Sequence, residues 1–89
     1  MRLKYNFVLR EVAGKQVAVA VGKDNAKFHG MVKLNEQGAF IFRMLREENR
    51  SEEELTAAAA EKYGVSEESA RPLIREFLQT LRQGELLEE

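Results

Sequence analysis

The stretch Phe28 to Leu45, FHGMVKLNEQGAFIFRML, changes its hydrophobic period from two to about three and a half at Asn35. Before Asn35, residues Phe28, Gly30, Val32 and Leu34 alternate with His29, Met31 and Lys33. After it, Phe40, Ile41, Met44 and Leu45 recur at helical spacing. Asn35 suits an N-cap, and Glu36 falls in the first turn, where the helix dipole favours an anion. The segment therefore predicts a strand running directly into a helix. Such a strand can lie at a sheet edge, and an edge can accept another chain.

Upstream, Phe7 to Ala13 reads as a strand, Gly14-Lys15 as a hairpin turn and Gln16 to Val21 as a second strand. Val17, Val19 and Val21 occupy one face of that strand. Ala18 and Ala20 form a small-residue face that permits close approach. The polar GKDNAK loop, Gly22 to Lys27, leads to the third strand, Phe28 to Leu34. Short connections favour an antiparallel meander.

Three helices follow. The first spans about Glu36 to Glu47. Ser51 and Glu54 form a capping box for the second, which carries the alanine run Ala57 to Ala60 and closes at Gly64. The third is expected to start at Ser69, which puts Pro72 in its first turn, where a missing N–H costs nothing. It then carries Leu73, Ile74, Phe77, Leu78 and Leu81 up to Gly84. The order predicts an α+β, winged-helix-like domain: an N-terminal three-stranded antiparallel sheet, then three helices, within one unit spanning residues 1–89.

Bulk properties narrow the function. A chain of 89 residues supports one modest core. It has no cysteine and a single histidine, His29, so neither a disulfide framework nor a metal or cofactor site is expected. Charged residues make up 33% but nearly cancel, to a net charge of −1, which gives no global attraction to nucleic acid or anionic lipid. No apolar run approaches the ~20 residues of a membrane span. With no signal-peptide pattern, a cytoplasmic location is expected. Catalysis is not expected, because Ser51, Ser66 and Ser69 read as caps and no nucleophile–base pair stands out.

At about 100° per residue, Leu73, Ile74, Phe77 and Leu81 share one broad arc of the third helix, which is expected to face the core. Arg71, Arg75 and Arg82 form a neighbouring basic stripe, and Leu78 lies on the border, partly exposed. A basic rail beside an aliphatic edge can hold an amphipathic peptide. Phe42 lies off its helix's apolar arc and is expected to pack on the sheet or a neighbouring helix.

Leu34-Asn35, Ala39, Ile41-Phe42, Leu45, the capped second helix ending near Tyr63, Phe77-Leu78, Leu81 and Gly84-Glu85-Leu86-Leu87 together resemble the PqqD-like family. These are recognition elements of ribosomally made, post-translationally modified peptides. The resemblance runs from about Phe7 to Leu87. It departs from the family pattern at Glu48-Asn49-Arg50, at Pro72-Leu73 and at the inserted Glu85.

The resemblance implies a non-catalytic chaperone. It would bind the leader of a precursor peptide and present it to a modifying enzyme, often a radical S-adenosylmethionine protein. The leader would add as a strand to Phe28–Leu34, at Met31, Val32, Lys33 and Leu34, opposite a wall of Arg71, Ile74, Arg75 and Leu78. Lys33 and the arginine stripe favour an acidic leader with interleaved apolar residues. The expected partners are this peptide and the enzyme, without nucleic acid or membrane, in a monomer or weak dimer. Winged-helix DNA binding is the alternative reading. Against it stand Glu67 and Glu68, which precede the third helix, where a reader helix needs cations.

Overall fold

A computed structural model describes residues 1–22 and 31–89. The expected GKDNAK loop therefore lies outside the described residues from Lys23 onward, as do Phe28, His29 and Gly30. The described elements are β1 (Arg2–Leu3), β2 (Phe7–Val12), β3 (Lys15–Ala20), β4 (Met31–Leu34), α1 (Glu36–Glu47), α2 (Glu52–Tyr63), α3 (Glu67–Gln83) and β5 (Leu87–Glu88). The fold is α+β: an antiparallel sheet of order β2-β3-β4, with three helices after it in the chain.

The β2–β3 connection is a two-residue loop, Ala13-Gly14, with Lys15 already paired to Val12. The turn thus sits one residue earlier than Gly14-Lys15. Both loop residues have positive φ, 53° and 79°, as a type I′ hairpin requires. For Ala13 the left-handed conformation costs roughly 1–2 kcal/mol, which the sheet on either side must offset.

Across the sheet, Phe7 lies opposite Ala20, Leu9 opposite Ala18, and Ala18 opposite Val32. These positions face the helices. Ala18 and Ala20 are both buried in the core cluster. The small-residue face therefore serves to admit helix side chains. Phe42 is 0% exposed, and its ring meets Phe7 edge-on at 5.2 Å between centroids.

The caps of α1 and α2 follow the sequence closely. Asn35 accepts a hydrogen bond from the Gly38 N–H at 2.7 Å. Ser51 and Glu54 close a full capping box, and Gly64 ends α2 in the left-handed region. The hydrogen bonds donated by Ser51 hold the Glu54 carboxyl below its usual range.

The α3 start corrects the expectation. Ser66, not Ser69, is the cap, accepting from the Ser69 N–H, so the helix begins at Glu67 and Pro72 lies inside it. The carbonyl that loses a donor to Pro72 belongs to Glu68, which is exposed to water, so the proline is tolerated. Glu67 and Glu68 also complement the dipole of the longer helix.

At the other end, Glu85 adopts φ 58° while Gly84 stays at −82°. Glu85 N–H donates to the Arg82 carbonyl and Leu86 N–H to that of Leu81, the Schellman pattern with glutamate in the usual glycine position. Leu86 is thereby turned into the core beside Leu81. The chain then forms β5, which pairs antiparallel with β1: Arg2 with Glu88, Leu3 with Leu87. This small ladder was not visible in the sequence, because two-residue strands carry no periodicity.

Candidate functional site

β4 pairs with β3 on one flank only: Leu34 with Gln16, Lys33 with Val17, Val32 with Ala18 and Met31 with Val19. No described strand occupies the other flank. The alternation of the strand sends Val32 and Leu34 toward the helices, where Val32 is half-buried and Leu34 buried. Met31 and Lys33 lie on the opposite face, and Met31 is 57% exposed.

Asn35, the residue after β4, also lines a groove of about 370 Å³ between α1 and α3. Gln37, Gly38 and Ile41 contribute from α1, and Leu73, Ile74, Glu76, Phe77 and Thr80 from α3. Gly38 makes the close approach of the two helices possible. A Cβ there would sit 3.0 Å from Phe77 Cε1 and 3.1 Å from Asn35 Oδ1. The groove mixes the apolar side chains of Ile41, Leu73, Ile74 and Phe77 with the polar ones of Asn35, Gln37, Glu76 and Thr80. Leu73 is 67% exposed at its edge.

The eight residues singled out from the sequence are divided by the structure. Met31, Val32, Lys33 and Leu34 form the edge strand, and Ile74 lies in the groove. Arg71 and Arg75 instead turn toward α2. Arg71 pairs with Glu53 at 3.4 Å and Arg75 with Glu52 at 3.0 Å. Arg82 is held by Glu89 at 2.7 Å. Leu78 is not a partly exposed border residue but is 0% exposed in the core. Leu73 reverses the other way, from expected core to surface.

The cause is where the apolar arc is centred. Ala70, Ile74, Leu78 and Leu81 are the buried residues of α3. At about 100° per residue they share a centre that leaves Leu73 on one flank and the arginines on the other. Counting Ala70 as a core position would have shown this. Leu73 and Phe77 line the groove although their spacing puts them on the arc expected to face the core, and nothing in the sequence marks Gly38 and Ile41 as their neighbours.

A family model for Coenzyme PQQ synthesis protein D (PqqD) matches residues 16–87, from the second residue of β3 to the first of β5. The chain belongs to the PqqD family. A solved structure of TbiB1 in complex with the TbiA(beta) leader peptide superposes with a TM-score of 0.73 at 25% sequence identity. That alignment covers 99% of this chain and 95% of TbiB1. No curated protein matches this chain. Among the described residues, no helix is long and apolar enough to cross a membrane.

Proposed function

We propose that this PqqD-family chain acts, as one domain over residues 1–89, as a non-catalytic recognition element for a precursor peptide. The leader adds as a strand to the open flank of β4, and its apolar side chains enter the groove between α1 and α3. The bound precursor is then presented to a modifying enzyme, a radical S-adenosylmethionine protein, in the cytoplasm. One observation carries the reading: a strand with one hydrogen-bonding flank that no described strand occupies leads to the mouth of an apolar groove. The structural relative TbiB1, solved with a leader peptide, supports the peptide-recognition part of this reading.

Backbone pairing gives sequence-tolerant affinity, and pockets for alternate side chains give selectivity. In the proposed helix wall Ile74 stays, and Leu73 and Phe77 take the place of Arg71, Arg75 and Leu78. Because both arginines already hold carboxylates, the leader is selected mainly by apolar side chains. Lys33 remains as a cation on the strand for an acidic neighbour. The DNA-binding alternative loses support for the same reason, since the cations a reader helix needs are engaged within the protein.

Leu73→Asp tests the groove. The residue is exposed, so stability should change by less than about 0.5 kcal/mol. Burying a leucine contributes about 1.5–3 kcal/mol, so affinity for peptides selected on the wild-type protein from a displayed library should fall about tenfold or more. Fluorescence anisotropy alongside a melting curve separates the two effects. Undiminished affinity in the folded variant would remove the groove from the site.

A further inference from the structure

On the side of α1 away from the groove lies a second depression of about 470 Å³, lined by Gln16, Glu36, Ala39, Phe40, Arg43, Lys62 and Tyr63. Its floor is an aromatic pair. Phe40 and Tyr63 meet edge-on at 6.1 Å, and the Lys62 ammonium lies 4.9 Å from the Phe40 ring centre. A neighbouring trough adjoins it through Gln16 and Glu36 and adds Lys15 and Lys33, with Glu11 as a second carboxylate. At about 100° per residue, Gly38 and Ile41 point away from Phe40 and Arg43, so α1 separates the two surfaces.

The cations here differ from those of α3. Arg71, Arg75 and Arg82 each hold a carboxylate, whereas Lys15, Lys33, Arg43 and Lys62 make no ion pair among the described residues. Arg43 reaches only the neutral Gln16 side chain, at 3.5 Å. Lys4, Arg10 and Arg46 are likewise without an ion pair among the described residues; here two such cations, Arg43 and Lys62, lie beside an aromatic pair, the half-buried Phe40 and the exposed Tyr63.

We propose that this basin docks an acidic segment of a second protein, one carrying carboxylates beside an aromatic or aliphatic anchor, while the groove holds the peptide. Phe40 and Tyr63 receive the anchor, and Arg43 and Lys62 receive the carboxylates. Glu36, between the two pairs of cations, repels a continuous phosphate backbone but leaves room for discrete carboxylates. The inference rests on the peptide reading only in assigning the groove to the other ligand. Two ligands on opposite sides of α1 can be held at once, which is what an adaptor requires.

The test uses the full chain, isotope-labelled for NMR, and a synthetic peptide with one phenylalanine flanked by glutamates. Its counterpart with glutamines and a single-stranded oligothymidine are the comparison ligands. The glutamate peptide should shift Phe40, Arg43, Lys62 and Tyr63 saturably and bind about fivefold or more tightly than the glutamine version. Arg43→Glu combined with Lys62→Glu should abolish that preference, and the milder Arg43→Gln with Lys62→Gln should reduce it. Both sites are exposed, so the fold is retained. Leu73→Asp should leave it unchanged, which separates failure of this surface from failure of the groove. Equal affinity for the two peptides, shifts confined to Gly38 and Phe77, or tighter binding of the oligonucleotide would overturn the proposal.

Discussion

Of the two variants Val32→Pro and Lys33→Pro, one is expected to fold with near wild-type stability and lose peptide binding. The other should lose stability as well. Successive N–H groups along a strand point to opposite flanks, so one of these adjacent residues donates toward β3 and the other outward. Both lie in the β3–β4 register, opposite Ala18 and Val17. Proline at the outward position keeps the β3–β4 ladder intact but removes the donor and places a ring in the visitor's path. Affinity for library-selected peptides should fall at least about tenfold, equivalent to about 1.4 kcal/mol. Titration with parallel circular dichroism distinguishes the two variants. Two folded variants that both bind normally would place the peptide elsewhere.

Phe42→Ala should destabilise the fold by about 3–5 kcal/mol, the range for removing a fully buried phenylalanine. The ring is 0% exposed, meets Phe7 edge-on and belongs to the same core cluster as Ala18 and Ala20. For a chain of this length the melting temperature should drop by about 12 °C or more. Against a total stability of about 5–15 kcal/mol, that is a large fraction. Differential scanning calorimetry measures it directly. A drop of only a few degrees would mean that the interior closes around the vacancy, contrary to the tight packing of ring on ring. Phe42 and Leu73 then stand as opposites: one holds the fold without touching the groove, the other lines the groove without holding the fold.

The sequence states its local rules openly and its tertiary choices poorly. Asn35, Ser51 with Glu54, and Gly64 all act where their side chains or backbone freedom predict, because caps are satisfied within one turn. The meander is equally legible from alternation and short connections. The start of α3 was harder, since two serines compete and the proline's cost depends on whether the Glu68 carbonyl meets water. Glu85 in a left-handed conformation could not be foreseen from residue type, as glycine stands immediately before it. The β1–β5 ladder joins residues from the two ends of the described chain, a pairing that no local pattern encodes.

The geometry of the candidate site was half legible for a related reason. An edge strand can be inferred from order and periodicity, so Met31 to Leu34 were identified together. Side-chain direction on α3 depends on which partner helix the arc faces, and one arc error exchanged Leu73 and Leu78. The arginine stripe was real as a pattern. Its carboxylate partners came from Glu52 and Glu53 on the preceding helix, a long-range choice that spacing within α3 does not reveal.

Amide hydrogen exchange at Met31, Val32, Lys33 and Leu34, followed with and without a saturating library-selected peptide, addresses the open flank of β4 most directly. In the free protein the β3-facing amides should be protected and the outward ones should exchange freely. With peptide bound, the outward amides should slow by at least about tenfold while the β3-facing ones hold their protection. Binding that leaves every β4 amide exchanging as in the free protein would contradict strand addition.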